Sequence, residues 1–152
     1  MRILMTSFFP DLNVWLALSD AGHQHNTEAW RWLQALPEDG RLIFSRYTQI
    51  GLLRLLTNSA VMIQQTLSLE KAWRIYDHWL SDPRVEFFPE PIGMDEAFRR
   101  ATAPFDTQTA SKWVGDCYLA AHAKQTGAIL VTFDRALLNF ARKEGYRAVS
   151  PA

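Results

Sequence analysis

The chain has 152 residues, 48% apolar and 21% charged, with 16 Lys plus Arg against 16 Asp plus Glu and a formal net charge of zero. That composition suits one globular domain over residues 1–152 with a core of its own, and it excludes a disordered chain. It also excludes the broad basic surface of a strong nonspecific nucleic-acid binder, so any grip on phosphate must be local, through a few arginines or a bound cation.

The first stretch, MRILMTSFFPDLNVWLAL, is apolar but interrupted by Pro10, Asp11 and Asn13. It lacks the clean apolar core of a leader and the length of a membrane span. We read it as a buried strand over 3–9 that stops at Pro10, then a helix over 12–18, in a cytoplasmic protein with no membrane partner. A helix over 26–36 (NTEAWRWLQAL) opens on Asn26 as N-cap and ends before Pro37. Residues 42–44 form a short strand. Residues 47–56 (YTQIGLLRLL) form a helix with a weak point at Gly51. A helix over 68–80 follows Ser68, with Ala72, Trp73, Tyr76, Trp79 and Leu80 at helical spacing. A strand over 85–88 and a helix over 94–101 come next. The helix over 112–126 is closed by Gly127. AILVTF, over 128–133, is the continuous apolar run of a strand buried on both faces. A helix over 135–144 closes on Gly145, and a last short strand covers 147–149.

Strands separated by helical crossovers predict a parallel sheet covered on both faces, a three-layer α/β/α sandwich. Sites in such folds lie outside the carboxyl ends of the strands. Asp11 follows the first strand there, and Asp134 directly follows Phe133. Asp116 lies in the first half of the helix that leads into AILVTF. Clustered carboxylates repel, and a hard divalent cation removes that cost. Such a cation lowers the pKa of water and stabilises charge on a phosphoryl group, the chemistry of phosphodiester hydrolysis. Each residue also has a plainer reading. Asp11 and Asp134 suit helix N-caps, and Asp116 suits a solvated helix position.

The local words carry more. FPDLNVWLAL, TQIGLLRLLTN, GDCYLAAHA and ILVTFDRALL stand in this order along nearly the whole chain. They resemble the four signature stretches of PIN-domain proteins, most closely the VapC-type toxins of toxin–antitoxin modules. The resemblance implies a PIN-like fold and an endoribonuclease using Mg²⁺, or Mn²⁺, to activate water against RNA, tRNA or another. It implies a homodimer inhibited by a VapB-type antitoxin. It places the catalytic acids at Asp11, Asp116 and Asp134, with Asp11 and Asp116 on the metal. Asn13, and Thr132 of the T-x-D pattern TFD, become supporting residues. One position departs from the pattern: the family's second acid, usually Glu, falls on Gln49. A neutral amide there leaves one carboxylate fewer and keeps open a catalytically weakened PIN-like module that binds protein or RNA.

Other residues attract plainer expectations. His122 is six positions from Asp116 and faces elsewhere; His23 and His25 belong to a polar loop. Cys117 is the single cysteine, which excludes an intrachain disulfide and a Cys-based zinc site and suits a small buried hydrophobe. Arg46, Arg54 and Arg135 lie near the acids in sequence and suit phosphate contacts or surface ion pairs equally. An aspartyl-phosphate phosphatase wants a second Asp where Asn13 stands. A phospho-receiver module wants adjacent early acids and a late Lys, where TFDRALL offers Arg.

Overall fold

A computed structural model describes residues 5–152. Five strands form one sheet: β1 (Ser7–Pro10), β2 (Arg41–Phe44), β3 (Val85–Phe87), β4 (Ile129–Val131) and β5 (Ala148–Val149). Their order is β3-β2-β1-β4-β5, and every neighbouring pair is parallel. The helices are α1 (Leu12–Ser19), α2 (Asn26–Gln34), α3 (Arg46–Leu56), α4 (Ser59–Met62), α5 (Leu69–Ser81), α6 (Met94–Thr102), α7 (Val114–Thr126) and α8 (Arg135–Lys143).

Side chains of a strand alternate between faces, and here that alternation builds two cores. Phe8, Leu42, Phe44, Val85 and Val131 pack with buried residues of α1 to α5. Phe9, Ile43, Leu130 and Ala148 pack with α6, α7 and α8. The result is the expected three-layer α/β/α sandwich. Trp15 of α1 anchors the first core, fully buried and stacked on Phe44 with ring centroids 3.8 Å apart.

Most expected elements form, with shifted ends. Residues 3 and 4 of the expected first strand lie outside the described residues. The helix expected from 112 begins at Val114, after a 3-10 turn over Ser111–Trp113. Gly127 does close it, in the left-handed region at φ 70°. Asn26 does not cap α2: the cap position is His25, and the Asn26 amide donates instead to the Ala17 carbonyl at 2.7 Å. Ser68 caps α5 as expected, its hydroxyl accepting from the Lys71 N–H.

The sheet order fixes where a site can form. From the central β1 the chain proceeds outward to β2 and β3, then returns across to β4 and β5. The connections diverge between β1 and β4, and the crevice at the carboxyl ends of these two strands is the topological switch point.

Candidate active site

Asp11 and Asp134 leave the sheet on either side of that crevice. The Asp11 N–H donates to the Val131 carbonyl at 2.8 Å, which ties the end of β1 to the end of β4. The Asp11 side chain is 7% exposed and engaged at both oxygens. Its Oδ1 accepts from the Leu12 N–H at 2.6 Å, as the N-cap of α1. Its Oδ2 accepts from the Thr132 hydroxyl at 2.8 Å. Asp134 caps α8, its Oδ1 accepting from the Ala136 and Leu137 N–H groups. Capping does occur at both positions, and each carboxylate keeps lone pairs beyond those it uses.

Thr132 joins them. Its fully buried hydroxyl donates to Asp11 and accepts from the Asp134 N–H at 3.0 Å and from the Asn13 amide at 3.5 Å. A hydroxyl offers one proton and two lone pairs, so Thr132 is used to capacity. Asn13 also accepts from the Phe133 N–H at 3.3 Å. It therefore braces the Thr132–Phe133 turn and hydrogen-bonds neither carboxylate.

Asp116 arrives from α7, which runs antiparallel to the strands and starts at their carboxyl end. Its carboxyl is pushed up to about 7, by burial first and then by the charges of Asp11 and Asp134. Asp11 is raised too, by burial above all, against the opposing hydrogen bonds from Thr132 and Leu12, with Asp134 adding to the rise. Among the described residues no basic side chain offsets that charge at either carboxyl. The acids thus share one electrostatic neighbourhood: Asp11 and Asp134 make Asp116 harder to ionise, and Asp134 does the same to Asp11.

An uncompensated set of carboxylates suits a hard divalent cation. Among the described residues no three His, Cys, Asp or Glu side chains form a ready-made cation cage. The donor set therefore fits a cation held by one or two carboxylates and completed by water and phosphate, the habit of Mg²⁺, better than an all-protein site.

Gln49 is buried, and its side chain bonds to partners other than the carboxylates. Its Oε1 accepts from Arg46 at 2.5 Å, and its amide sits against the Tyr76 phenol. Arg46 in turn lies 4.6 Å from the centroid of the Phe87 ring. Gly51 of the same helix faces Leu12, the residue after Asp11, where an added Cβ would lie 2.3 Å from Leu12 Cδ2. Two further residues border the carboxylates and escaped the sequence reading. Tyr47 places its hydroxyl where a side chain on Gly115 would stand, 2.1 Å from an added Cβ. The signal available was the pair of glycines inside helices, a common mark of close approach. His122 is fully buried on α7, stacked on Phe9 with centroids 4.8 Å apart, and is no part of the site.

Residues 8–143 match the family model for the PIN domain. The chain belongs to the PIN domain family. Within that family it is 39% identical over 134 residues to Ribonuclease VapC41 of Mycobacterium tuberculosis, covering 86% of this chain and 90% of that protein. Solved structures share the PIN fold at lower identity. VapBC-1 from nontypeable Haemophilus influenzae superposes with a TM-score of 0.67 at 17% identity, covering 96% of this chain and 98% of that one. Mycobacterium tuberculosis VapC20 superposes with a TM-score of 0.65 at 18% identity, covering 91% and 95%.

Proposed function

We propose that this PIN domain, one unit over residues 1–152, is a divalent-metal-dependent endoribonuclease, the toxin of a type II toxin–antitoxin module. The observation that carries this is the mutual charge of Asp11, Asp116 and Asp134 at the switch point of the sheet. The likeness to Ribonuclease VapC41 over most of the chain supports RNA as the substrate.

Asp11 and Asp116 would hold Mg²⁺, with Mn²⁺ as the alternative. When bound, the cation lowers the pKa of water and neutralises charge developing on phosphoryl oxygens. The chain supplies the frame. Thr132 and the Leu12 N–H hold the Asp11 carboxylate in one orientation, so little reorganisation accompanies binding. Asp134, fixed as the cap of α8 through Oδ1, would use its other oxygen to order water at the crevice. Asn13 holds the turn that carries Thr132. An open set of this kind holds its cation loosely until RNA phosphate adds its own charge.

A VapB-type antitoxin, a homodimer and a cytoplasmic setting complete the proposal. VapBC complexes among the structural relatives make such a partner a natural candidate. The rival picture of a catalytically weakened binding module drew on Gln49. With that amide committed to Arg46 and Tyr76, its neutrality no longer speaks for weakened catalysis.

The experiment is cleavage of total RNA by the purified chain in Mg²⁺, with and without excess EDTA. Fragments that form in Mg²⁺ and vanish in EDTA are expected. Cleavage that continues in EDTA contradicts the metal, and no cleavage in either buffer contradicts the activity.

A further inference from the structure

Tyr47, Gly51 and Arg54 recur on α3 at i, i+4 and i+7, which places them on one stripe of the helix. Three contacts fix where that stripe points. Tyr47 Oη occupies the space a side chain on Gly115, the residue before Asp116, would need. Leu12, the residue after Asp11, fills the space a side chain at Gly51 would need. Leu12, Gly51, Arg54, Leu55 and Asn58 line a depression of about 180 Å³. The stripe therefore runs from the shoulder of Asp116, past the start of α1, to an open hollow.

Its chemistry is a phenol, bare backbone and a guanidinium. Arg54 is exposed and, like Arg31 and Arg135, has no carboxylate partner among the described residues, whereas Arg41, Arg74, Arg84, Arg99 and Arg100 are each paired. Arg46, on the same helix, is committed to Gln49 and Phe87. The start of α3 is rigid, because Ser45 and Thr48 exchange side-chain and backbone hydrogen bonds in a capping box. Tyr47 is thus held on a fixed element, its ring tilted against Tyr118 with centroids 5.5 Å apart. Burial raises the Tyr47 phenol, Asp116 and Asp11 raise it further, and Arg54 opposes them. Its hydroxyl therefore keeps its proton and can donate to an anionic oxygen.

We propose that this stripe is the subsite for the RNA strand flanking the scissile bond, with Arg54 binding a backbone phosphate and Tyr47 Oη hydrogen-bonding the nucleotide at the carboxylates. The two residues are about 10 Å apart along the helix axis, so they grip different points of the strand. The subsite presupposes the ribonuclease activity proposed above.

The test measures binding of a fluorescent single-stranded RNA of mixed sequence, in EDTA, between 50 and 200 mM salt. The proteins are wild type, Arg54→Gln, Tyr47→Phe and the control Arg99→Gln, whose arginine pairs with Asp95 on the surface of α6. Thermal melts confirm that each is folded, and cleavage in Mg²⁺ is followed in parallel. Arg54→Gln should weaken binding about tenfold and flatten the log–log salt slope by about 0.7, the loss of one phosphate contact on a single strand. Tyr47→Phe should lower kcat/KM about tenfold while leaving the salt slope alone. Arg99→Gln should match wild type. RNA binding by Arg54→Gln with wild-type affinity and slope overturns the subsite, and so does an equal change in the control. If wild type still cleaves RNA in Mg²⁺, the activity survives that result. If wild type neither binds nor cleaves RNA, both fall. If it binds without cleaving, the activity falls and the slopes still decide the subsite.

Discussion

At the scale of single residues, the Asp116 carboxyl ionises at a cost. Its folded pKa of about 7 lies above the ordinary carboxylate value, so the folded protein binds that proton more tightly than the unfolded chain does. Metal-free stability should therefore fall as pH rises from about 4 through about 7 and then level off. Asp116→Asn removes the penalty. Discounting for its partial exposure, the gain is about 1–2 kcal/mol, or roughly 3–6 °C in Tm at pH 8, shrinking to nothing near pH 4. Melting curves in EDTA at both pH values check this, and an equal shift at both would remove charge as the cause. Gly115 and Tyr47 give a second expectation. An added Cβ at Gly115 meets Tyr47 Oη at 2.1 Å but Tyr47 Cζ only at 3.2 Å. Gly115→Ala alone should cost about 1–3 kcal/mol, as overpacking does, and should be nearly neutral on a Tyr47→Phe background. A double-mutant cycle by urea denaturation measures the coupling; additive effects would show that the hydroxyl does not occupy that space.

At the scale of elements, α3 decides what Gln49 does. Tyr47 and Gln49 are two residues apart, about 200° around the helix, so a helix that turns Tyr47 to the carboxylates turns Gln49 away. Gln49→Glu should leave Mn²⁺ affinity within about twofold, because the new carboxylate meets Arg46 rather than the cation. Isothermal titration without RNA checks it, and clearly tighter binding would bring position 49 back into the metal site. The sequence placed an amide where the family pattern has an acid, but register along a motif does not say which face of a helix a residue occupies. The glycine at position 51 held that information. Element ends were legible where chemistry is strong, as at Ser68 and Gly127, and not where two interactions compete. Asn26 has the chemistry of a cap, yet its amide finds the Ala17 carbonyl across the turn from α1. The AILVTF run is strand only over Ile129–Val131, although the Thr132 N–H still donates to the Val149 carbonyl at 3.1 Å while its hydroxyl donates to Asp11. Helix α4 went unread because its four residues carry no periodicity of their own, and it is set by the Asn58 cap.

At the scale of the whole molecule, alternation of strand and helix was enough to predict the layered fold, and the family words singled out Asp11, Asp116 and Asp134 as candidate acids. Sequence alone did not give the strand order β3-β2-β1-β4-β5, which sets Asp11 and Asp134 on opposite lips of one crevice. Nor did it show the Thr132 hub, which exists only once the ends of β1 and β4 are adjacent. If this crevice is a metal-dependent phosphodiesterase site, Asp116 is indispensable to it. The most direct measurement is cleavage of one labelled RNA by wild type and Asp116→Asn, at equal concentration in the same Mg²⁺ buffer. The account predicts a loss of at least about 100-fold in rate, with a folded variant that melts no lower than wild type, as expected when a group acting on the transition state is removed. Cleavage by Asp116→Asn at the wild-type rate would contradict it.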